Sequence, residues 1–215
     1  MLSEQIRTGA GYAMHGTDGR QACPQRNAHM KDNELVWAEV STEHFVQDEW
    51  IDFRKTAYRF PDGRIFQPYY SYTRKDYAVI VASDEDGQFL CVRQFRQGIR
   101  EVTTEFPAGA IEQKDGKAAS DAALEAAKRE LREETGYVSD CWRHLLTIPA
   151  SATVSDNVAW LFAAENCRPA AAQQLDEMEL LRVVRHTARE LDALVKSGQF
   201  KQSVHALAWL LARLS

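Results

Sequence analysis

One short stretch of this chain indicates its fold most directly: Arg129-Glu130-Leu131-Arg132-Glu133-Glu134-Thr135-Gly136-Tyr137. It closes a long run of strong helix formers over residues 118–135. Glycine is common just after a helix, where the backbone often turns left-handed, and Gly136 stands at that point. The stretch therefore predicts the last turns of a helix and the residue that ends it.

Three glutamates of this helix fall on an unexpected face. On a wheel of about 100° per residue, Glu130 and Glu134 lie in the arc that the preceding turns fill with alanine and leucine. Glu133 lies at the border of that arc, whereas Glu125 lies on the polar face. Grouped carboxylates facing a core need bound divalent cations or nearby arginines to compensate their charge. Such oxygen donors suit Mg²⁺ or Mn²⁺; the alternative is a solvated run of charges.

Strand patterns surround the helix. Residues rich in β-branched and aromatic side chains predict strands at 35–46, 50–60, 65–72, 78–82, 89–95, 137–148 and 158–164. Two helices, over residues 187–197 and 202–214, close the chain. This order predicts an α+β fold, a sandwich of mixed sheets with a central helix. We expect an N-terminal antiparallel β region over 31–75 and a catalytic domain over 76–215.

Composition limits the possible classes of function. The 215 residues carry a formal net charge of -5, which disfavours a general nucleic-acid binder. No apolar run approaches the roughly 20 residues that span a bilayer, and the start lacks a secretory pattern. The four cysteines lie far apart, so reduced thiols in a cytoplasmic protein are expected rather than a zinc site or a disulfide framework.

Residues 1–30 differ from the remainder of the chain. They show no strand or helix period and end in Ala28-His29-Met30. A vector-derived tag and an upstream start ahead of Met30 fit this pattern equally. Either origin predicts a disordered extension outside the fold.

The stretch 129–137 resembles the second half of the Nudix box, the signature of the Nudix hydrolase family. Phe106-Pro107-Ala108-Gly109 resembles the opening of the box. Val92-Arg93-Gln94-Phe95-Arg96-Gln97-Gly98, with Glu105, resembles the preceding strand in the ADP-ribose and nucleotide-sugar pyrophosphatase branch. The resemblance implies a Nudix-like α/β/α sandwich. It also implies a metal-dependent pyrophosphohydrolase (EC 3.6.1.-) that releases a nucleoside monophosphate and a sugar phosphate.

The same resemblance implies roles for individual residues. Glu130, Glu134 and Glu133 would coordinate Mg²⁺, or Mn²⁺, with help from the carbonyl oxygen of Ala108. Arg129 would orient a glutamate, for which its forked donors are suited.

The general base in this branch comes from a late loop. We place it in Asp176-Glu177-Met178-Glu179, between the last strand and the terminal helices, with Glu177 and Glu179 as equal candidates. The alternative is a solvated acidic loop.

Substrate contacts are expected from the strands ahead of the box. Arg93 and Arg96 lie on opposite faces of a regular strand, and Arg96 is the better candidate for a phosphate or ribose contact. Trp50 and Phe53 have flat faces that suit a nucleobase, although aromatic strand residues more often pack in a core. The early strands of relatives often exchange between subunits, so the resemblance implies a homodimer.

The chain departs from the family pattern at two places. Gly109 is followed by an insertion over residues 112–117, and the best match to the first glutamate of the box is then Asp121, which falls on the polar face. Ser120 competes with it as a helix cap. The loop over residues 151–157 lacks a proline expected in the ADP-ribose branch.

The sequence is also compatible with two other functions. A Nudix-fold module that binds a nucleotide without hydrolysing it is compatible with the interrupted first half of the box, although the intact glutamates favour the hydrolase. A structural interaction protein is supported only by the charged face of the helix.

Overall fold

A three-stranded antiparallel sheet opens the described part of the chain. The computed structural model describes residues 31–116 and 119–214, so the expectations for residues 1–30 lie outside it. A 3₁₀ turn, Asp32–Glu34, precedes strands β1 (Ala38–Gln47), β2 (Asp52–Arg59) and β3 (Ile65–Thr73), which pair in that order. Gly63, with a φ of +89°, makes the β2–β3 turn, where a left-handed backbone favours glycine.

The second sheet is mixed and has eight strands. They are β4 (Tyr77–Asp84), β5 (Phe89–Arg96), β6 (Glu101–Glu105), β7 (Ala108–Ala110), β8 (Tyr137–Val138), β9 (Cys141–Pro149), β10 (Val158–Pro169) and β11 (Leu181–His186). The order is β11-β5-β4-β10-β8, with β6 on β5, β7 on β4 and β9 on β10. Strands β4 and β10 run parallel, and the other pairs are antiparallel.

Helices cover both faces of this sheet. The central helix α1 spans Ala119–Thr135, and α2 (Ala188–Lys196) and α3 (Ser203–Leu214) close the chain. A second 3₁₀ turn, Gln113–Asp115, lies between β7 and α1. The two terminal helices agree with the sequence prediction to within a residue or two.

Strand β4 shows why the fold is a sandwich. Its side chains alternate, because successive residues of a strand point to opposite faces. Ile80 packs with Leu131 of α1 on one face, whereas Val81 packs with Leu191 of α2 and Trp209 of α3 on the other. These side chains are buried, and full burial of each large one stabilises the fold by about 1.5–3 kcal/mol. The predicted α+β sandwich is confirmed.

The N-terminal sheet is tied to the loop between β9 and β10. Asp156 Oδ2 accepts hydrogen bonds from Arg54 Nη2 at 3.0 Å and from Thr73 Oγ1 at 2.6 Å. The backbone N–H of Tyr72 donates to Val154 O at 2.8 Å. We call this set of contacts the Asp156 latch; it joins the two sheets within one chain.

Three strands were not predicted. Strands β6 and β7 are short, and β6 begins and ends with glutamate. Strand β11 matters more, because it lies between the acidic loop 176–179 and α2. The expectation that this loop follows the last strand was therefore wrong: the loop leads into β11, which pairs with β5.

Within residues 31–116 and 119–214, no helix is long and apolar enough to span a bilayer.

A substitution at Gly136 tests why α1 ends there. Its φ is +77°, and a Cβ there would lie 2.3 Å from Ala171 O. We expect Gly136→Ala to lower the free energy of unfolding by about 2 kcal/mol or more, because the left-handed backbone and the clash both oppose alanine.

Gly87→Ala is the matched control, since Gly87 has a φ of +72° and a Cβ added there would meet no atom within 4 Å. It should cost about 1 kcal/mol. Denaturant unfolding measures both values. Equal losses for the two variants would show that the close approach to Ala171 is unimportant.

Candidate active site

Two carboxylates of α1 lie buried against strand β7. Glu130 is 7% exposed and Glu134 is 2% exposed, on the face where the helical wheel placed them. Glu134 Oε2 accepts the backbone N–H of Ala108 at 3.0 Å. A Cβ at Gly109 would lie 2.0 Å from the carboxyl carbon of Glu130, so a glycine is needed for the helix and the strand to approach this closely.

Arg129 connects the acidic residues to one another. Its Nη1 donates to Glu130 Oε1 at 2.6 Å and to Glu133 Oε2 at 2.9 Å. Its Nε and Nη2 donate to the two carboxylate oxygens of Asp115 at 3.0 and 3.2 Å, and Nη2 also reaches Ala110 O at 2.8 Å. The guanidinium therefore holds two glutamates of α1 and the end of β7 in one arrangement, which suits its rigid fork.

The electrostatics of the glutamates favour a cation. Burial raises the pKa of Glu130 to about 7; Arg129 opposes the shift, whereas Glu133 and Glu179 add to it. Burial and the neighbouring Glu130 also raise the pKa of Glu134 well above its usual value. A divalent cation between these carboxylates would relieve the repulsion and favour their ionised forms.

The donor set fits a hard metal ion that keeps ligands from outside the protein. Glu130, Glu134 and Glu133 offer carboxylate oxygens, and Ala108 offers a carbonyl. Within the described residues, no group of three or more His, Cys, Asp or Glu side chains is arranged to hold a metal alone. Mg²⁺ usually keeps several waters and binds phosphate oxygens, so one or two protein carboxylates are sufficient.

Asp115, and not Asp121, lies beside Arg129. Asp121 is exposed at the first turn of α1, whereas the side chain of Asp115 is 4% exposed and pairs with Arg129. Burial opposes ionisation of Asp115, but Arg129 outweighs it and lowers its pKa. Asp115 follows Gly109 closely in the sequence, but the insertion concealed that it, and not Asp121, pairs with Arg129.

The two candidate bases are placed differently. Glu179 is half-buried and close enough to raise the pKa of both Glu130 and Glu134. Its carboxylate accepts the backbone N–H of Asp176 at 3.0 Å, which holds the loop in a turn. Glu177 is exposed. The geometry therefore brings Glu179 to the carboxylates.

The two candidate arginines also differ in position and in their partners. Arg96 pairs with buried Glu105 through Nε and Nη2, and it lies close enough to oppose the rise in the pKa of Glu134. Arg93 is half-buried in β5, opposite Thr104 and Arg182, and forms no ion pair with the described part of the chain. Arg96 is thus the arginine on the carboxylate side.

The aromatic candidates lie in the N-terminal sheet. Trp50 is 61% exposed beside the β1–β2 turn, with Lys75 Nζ 5.4 Å from its ring centroid. Phe53 stacks on Tyr70 at 5.9 Å and also contacts Phe45. Phe53 therefore packs against aromatic neighbours, whereas Trp50 keeps a large exposed surface.

The ion pair between Arg129 and Asp115 can be tested by measuring the free energy of unfolding. Asp115→Asn removes the charge opposite a largely buried guanidinium, and we expect the free energy of unfolding to fall by about 2 kcal/mol. Asp121→Asn, the same change at an exposed position, should stay within about 0.5 kcal/mol. Urea titrations of both variants measure the difference, and a larger loss at Asp121 would refute the assignment.

Comparison with known proteins agrees with this geometry. Residues 73–207 match the NUDIX domain. The chain is 27% identical over 170 residues to an ADP-ribose pyrophosphatase of Bacillus subtilis (strain 168), covering 79% of this chain and 88% of that protein. It is 32% identical over 146 residues to an ADP-sugar pyrophosphatase of Mus musculus, covering 55% of this chain and 64% of the mouse protein.

A solved structure described as an ADP compounds hydrolase superposes with a TM-score of 0.70. The match covers 83% of this chain and 92% of that chain at 19% identity, and so supports the fold. The domain match spans more than half of the sequence and includes both β7 and α1, which build the carboxylate site. The chain belongs to the Nudix hydrolase family, whose members act on pyrophosphate bonds.

Proposed function

We propose that this protein is a metal-dependent pyrophosphohydrolase of a nucleoside diphosphate linked to a sugar, such as ADP-ribose or an ADP-sugar. The observation that carries the proposal is the pair of buried carboxylates, Glu130 and Glu134, packed against Ala108 and Gly109 and held by Arg129. The printed names of the Bacillus and mouse relatives support the substrate class.

Glu130, Glu134 and Glu133 would hold the metal, with the carbonyl of Ala108. A bound Mg²⁺ or Mn²⁺ supplies neutralisation of the diphosphate and a lower pKa for an attacking water. Arg129 keeps Glu130 and Glu133 in place through the 2.6 and 2.9 Å contacts.

Glu179 is our choice as the general base. Its carboxylate would take the proton from the water as the new phosphorus–oxygen bond forms and the bond to the bridging oxygen breaks. The products are a nucleoside monophosphate and a sugar phosphate. Arg96 would donate a hydrogen bond to a phosphate oxygen, and Trp50 offers its exposed face to the base.

The hydrolase proposal is tested with ADP-ribose, ADP-sugars, other nucleotide sugars and dinucleotides. Monophosphate release should require Mg²⁺ or Mn²⁺ and stop when EDTA removes the metal. Glu134→Gln should lower kcat by about 100-fold or more, because a metal ligand is weakened. Glu125→Gln, on the exposed face of the same helix, should leave kcat unchanged.

Glu179→Gln and Glu177→Gln form a second matched pair, and only the first should lower kcat strongly. If the protein binds a nucleotide without hydrolysing it, and Glu134→Gln leaves that binding unchanged, the hydrolase proposal fails. The nucleotide-binding module is then the better explanation.

We also propose a homodimer formed through the N-terminal sheet. Val40, Phe45, Val46, Ile65 and Phe66 of this sheet are each more than 40% exposed, and apolar groups of this kind mark interaction surfaces. A second copy of the chain is the partner that the family resemblance implies.

The assembly is measured by light scattering after gel filtration. We expect a dimer mass for the unaltered protein and a monomer mass for Val40→Lys combined with Phe45→Lys, because two charges would be buried at the interface. Leu214→Lys, at an exposed position of α3, should remain dimeric. A monomer mass for the unaltered protein would end this proposal.

A further inference from the structure

A buried ion pair lies beside the carboxylate site. Glu105 is fully buried, and Arg96 Nε donates to its Oε1 and Oε2 at 2.9 and 3.0 Å, while Arg96 Nη2 donates to Oε2 at 2.5 Å. Thr103 Oγ1 also donates to Oε1. Burial opposes ionisation of Glu105, but Arg96 and Thr103 outweigh it and lower its pKa. Glu105 is therefore a charged partner that orients Arg96.

This pairing leaves one end of the guanidinium available. Nε and Nη2 of Arg96 are engaged side-on with Glu105, whereas Nη1 makes no hydrogen bond to the described residues. The side chain is 35% exposed, and its charge acts on Glu134. An arginine held along one edge presents its remaining donors in a set direction, which suits contact with an anionic oxygen.

Two polar side chains at the N-terminal end of α3 contact Glu105 and the residue that follows it. Gln202, immediately before α3, donates from Nε2 to Glu105 Oε1 at 3.3 Å. His205 is 4% exposed, and its Nδ1 accepts the backbone N–H of Phe106 at 3.2 Å. Burial lowers the pKa of His205 to about 4, so the ring is neutral near pH 7 and carries its proton on Nε2.

The contacted backbone leads directly to the carboxylate site. Pro107 O accepts the N–H of Ile80 at 2.9 Å, which fixes the segment on the central strand β4. The next residue, Ala108, donates its N–H to Glu134. A shift of Glu105 or Phe106 would therefore displace both Arg96 and the backbone beside Glu134.

We propose that Gln202 and His205 are positioning residues of the hydrolase site. Gln202 sets the plane of the Glu105 carboxylate and so directs Arg96 Nη1 toward the substrate diphosphate. His205 holds Phe106, and with it the Ala108 N–H that binds Glu134. This inference rests on the proposed function for the contact between Arg96 and the diphosphate, and it makes α3 part of the catalytic apparatus.

The main test compares Gln202→Met with Lys201→Met. The first removes the donor while keeping the length of the side chain. The second places methionine at an exposed neighbour, where it removes a surface ion pair of 3.4 Å with Glu101 but no contact with Glu105. Gln202→Met should lower kcat about 10-fold with less than a twofold change in KM, because misplaced groups mainly affect the transition state. Lys201→Met should have no effect.

A double-mutant cycle separates positioning from a general loss of structure. If Gln202 acts through Arg96, Gln202→Met should cause no further loss of kcat in an Arg96→Ala background. Equal losses in both backgrounds, or no loss in either, would overturn the assignment. Thermal unfolding should give the same Tm for Gln202→Met and the unaltered protein within a few degrees.

A spectroscopic measurement tests the proposal without substrate. The Nε–H signal of Arg96 should be protected from hydrogen exchange by buried Glu105, and Gln202→Met should accelerate its exchange about 10-fold. An unchanged exchange rate overturns the role of Gln202. If no substrate is hydrolysed but this change occurs, the proposed function fails while the positioning of Arg96 stands.

His205 is tested by a variant that keeps its acceptor. His205→Asn retains a side-chain oxygen near the position of Nδ1, whereas His205→Leu removes it and leaves the Phe106 N–H unpaired. We expect faster amide exchange at Phe106 and Ala108 and a lower kcat in the leucine variant, with most of both restored by asparagine. Identical behaviour of the two variants would show that only the volume of His205 matters.

Discussion

The structure depends on keeping two carboxylates, one helical turn apart, buried at the contact between a helix and a strand. Burial raises the pKa of both Glu130 and Glu134, and the charge of Glu130 adds to the rise at Glu134. The ionised forms are therefore stabilised only where a donor or a cation faces them. Arg129 supplies one such donor group and the backbone of Ala108 supplies another. The negative charge that these donors leave uncompensated would favour the divalent cation that we propose for this site.

The layers of the fold make this arrangement possible. Helix α1 can approach β7 closely because residue 109 is a glycine, and it is held there by Ala127 and Leu131 packed on β4. On the opposite face, Trp209 and Leu191 secure α3 and α2 against the same strand. The central strand thus locates both the helix that carries the carboxylates and the helix whose His205 contacts Phe106.

The structural features that depend on local sequence pattern could be predicted from the sequence. The periodicity of α1 placed Glu130 and Glu134 on the buried face, and Gly136 marked its end; both agree with the structure. Strand β11 was missed because charged side chains interrupt its apolar pattern, and its pairing with β5 is a long-range contact. Asp115 was missed for a related reason. The insertion obscures which acidic residue matches the family pattern, and only the fold brings Asp115 to Arg129. Gln202 and His205 carried no local signal, since their partners lie 97 and 99 residues away.

The Asp156 latch has a practical meaning for where this protein can be divided. The recognisable Nudix domain begins at residue 73, yet Asp156 of that domain takes one of its hydrogen bonds from Arg54, in the preceding sheet. A fragment cut at the recognised boundary would leave the β9–β10 loop without this partner and would expose the strand edge that Tyr72 now occupies. The hydrogen-bonded unit is therefore larger than the matched range and includes the N-terminal sheet.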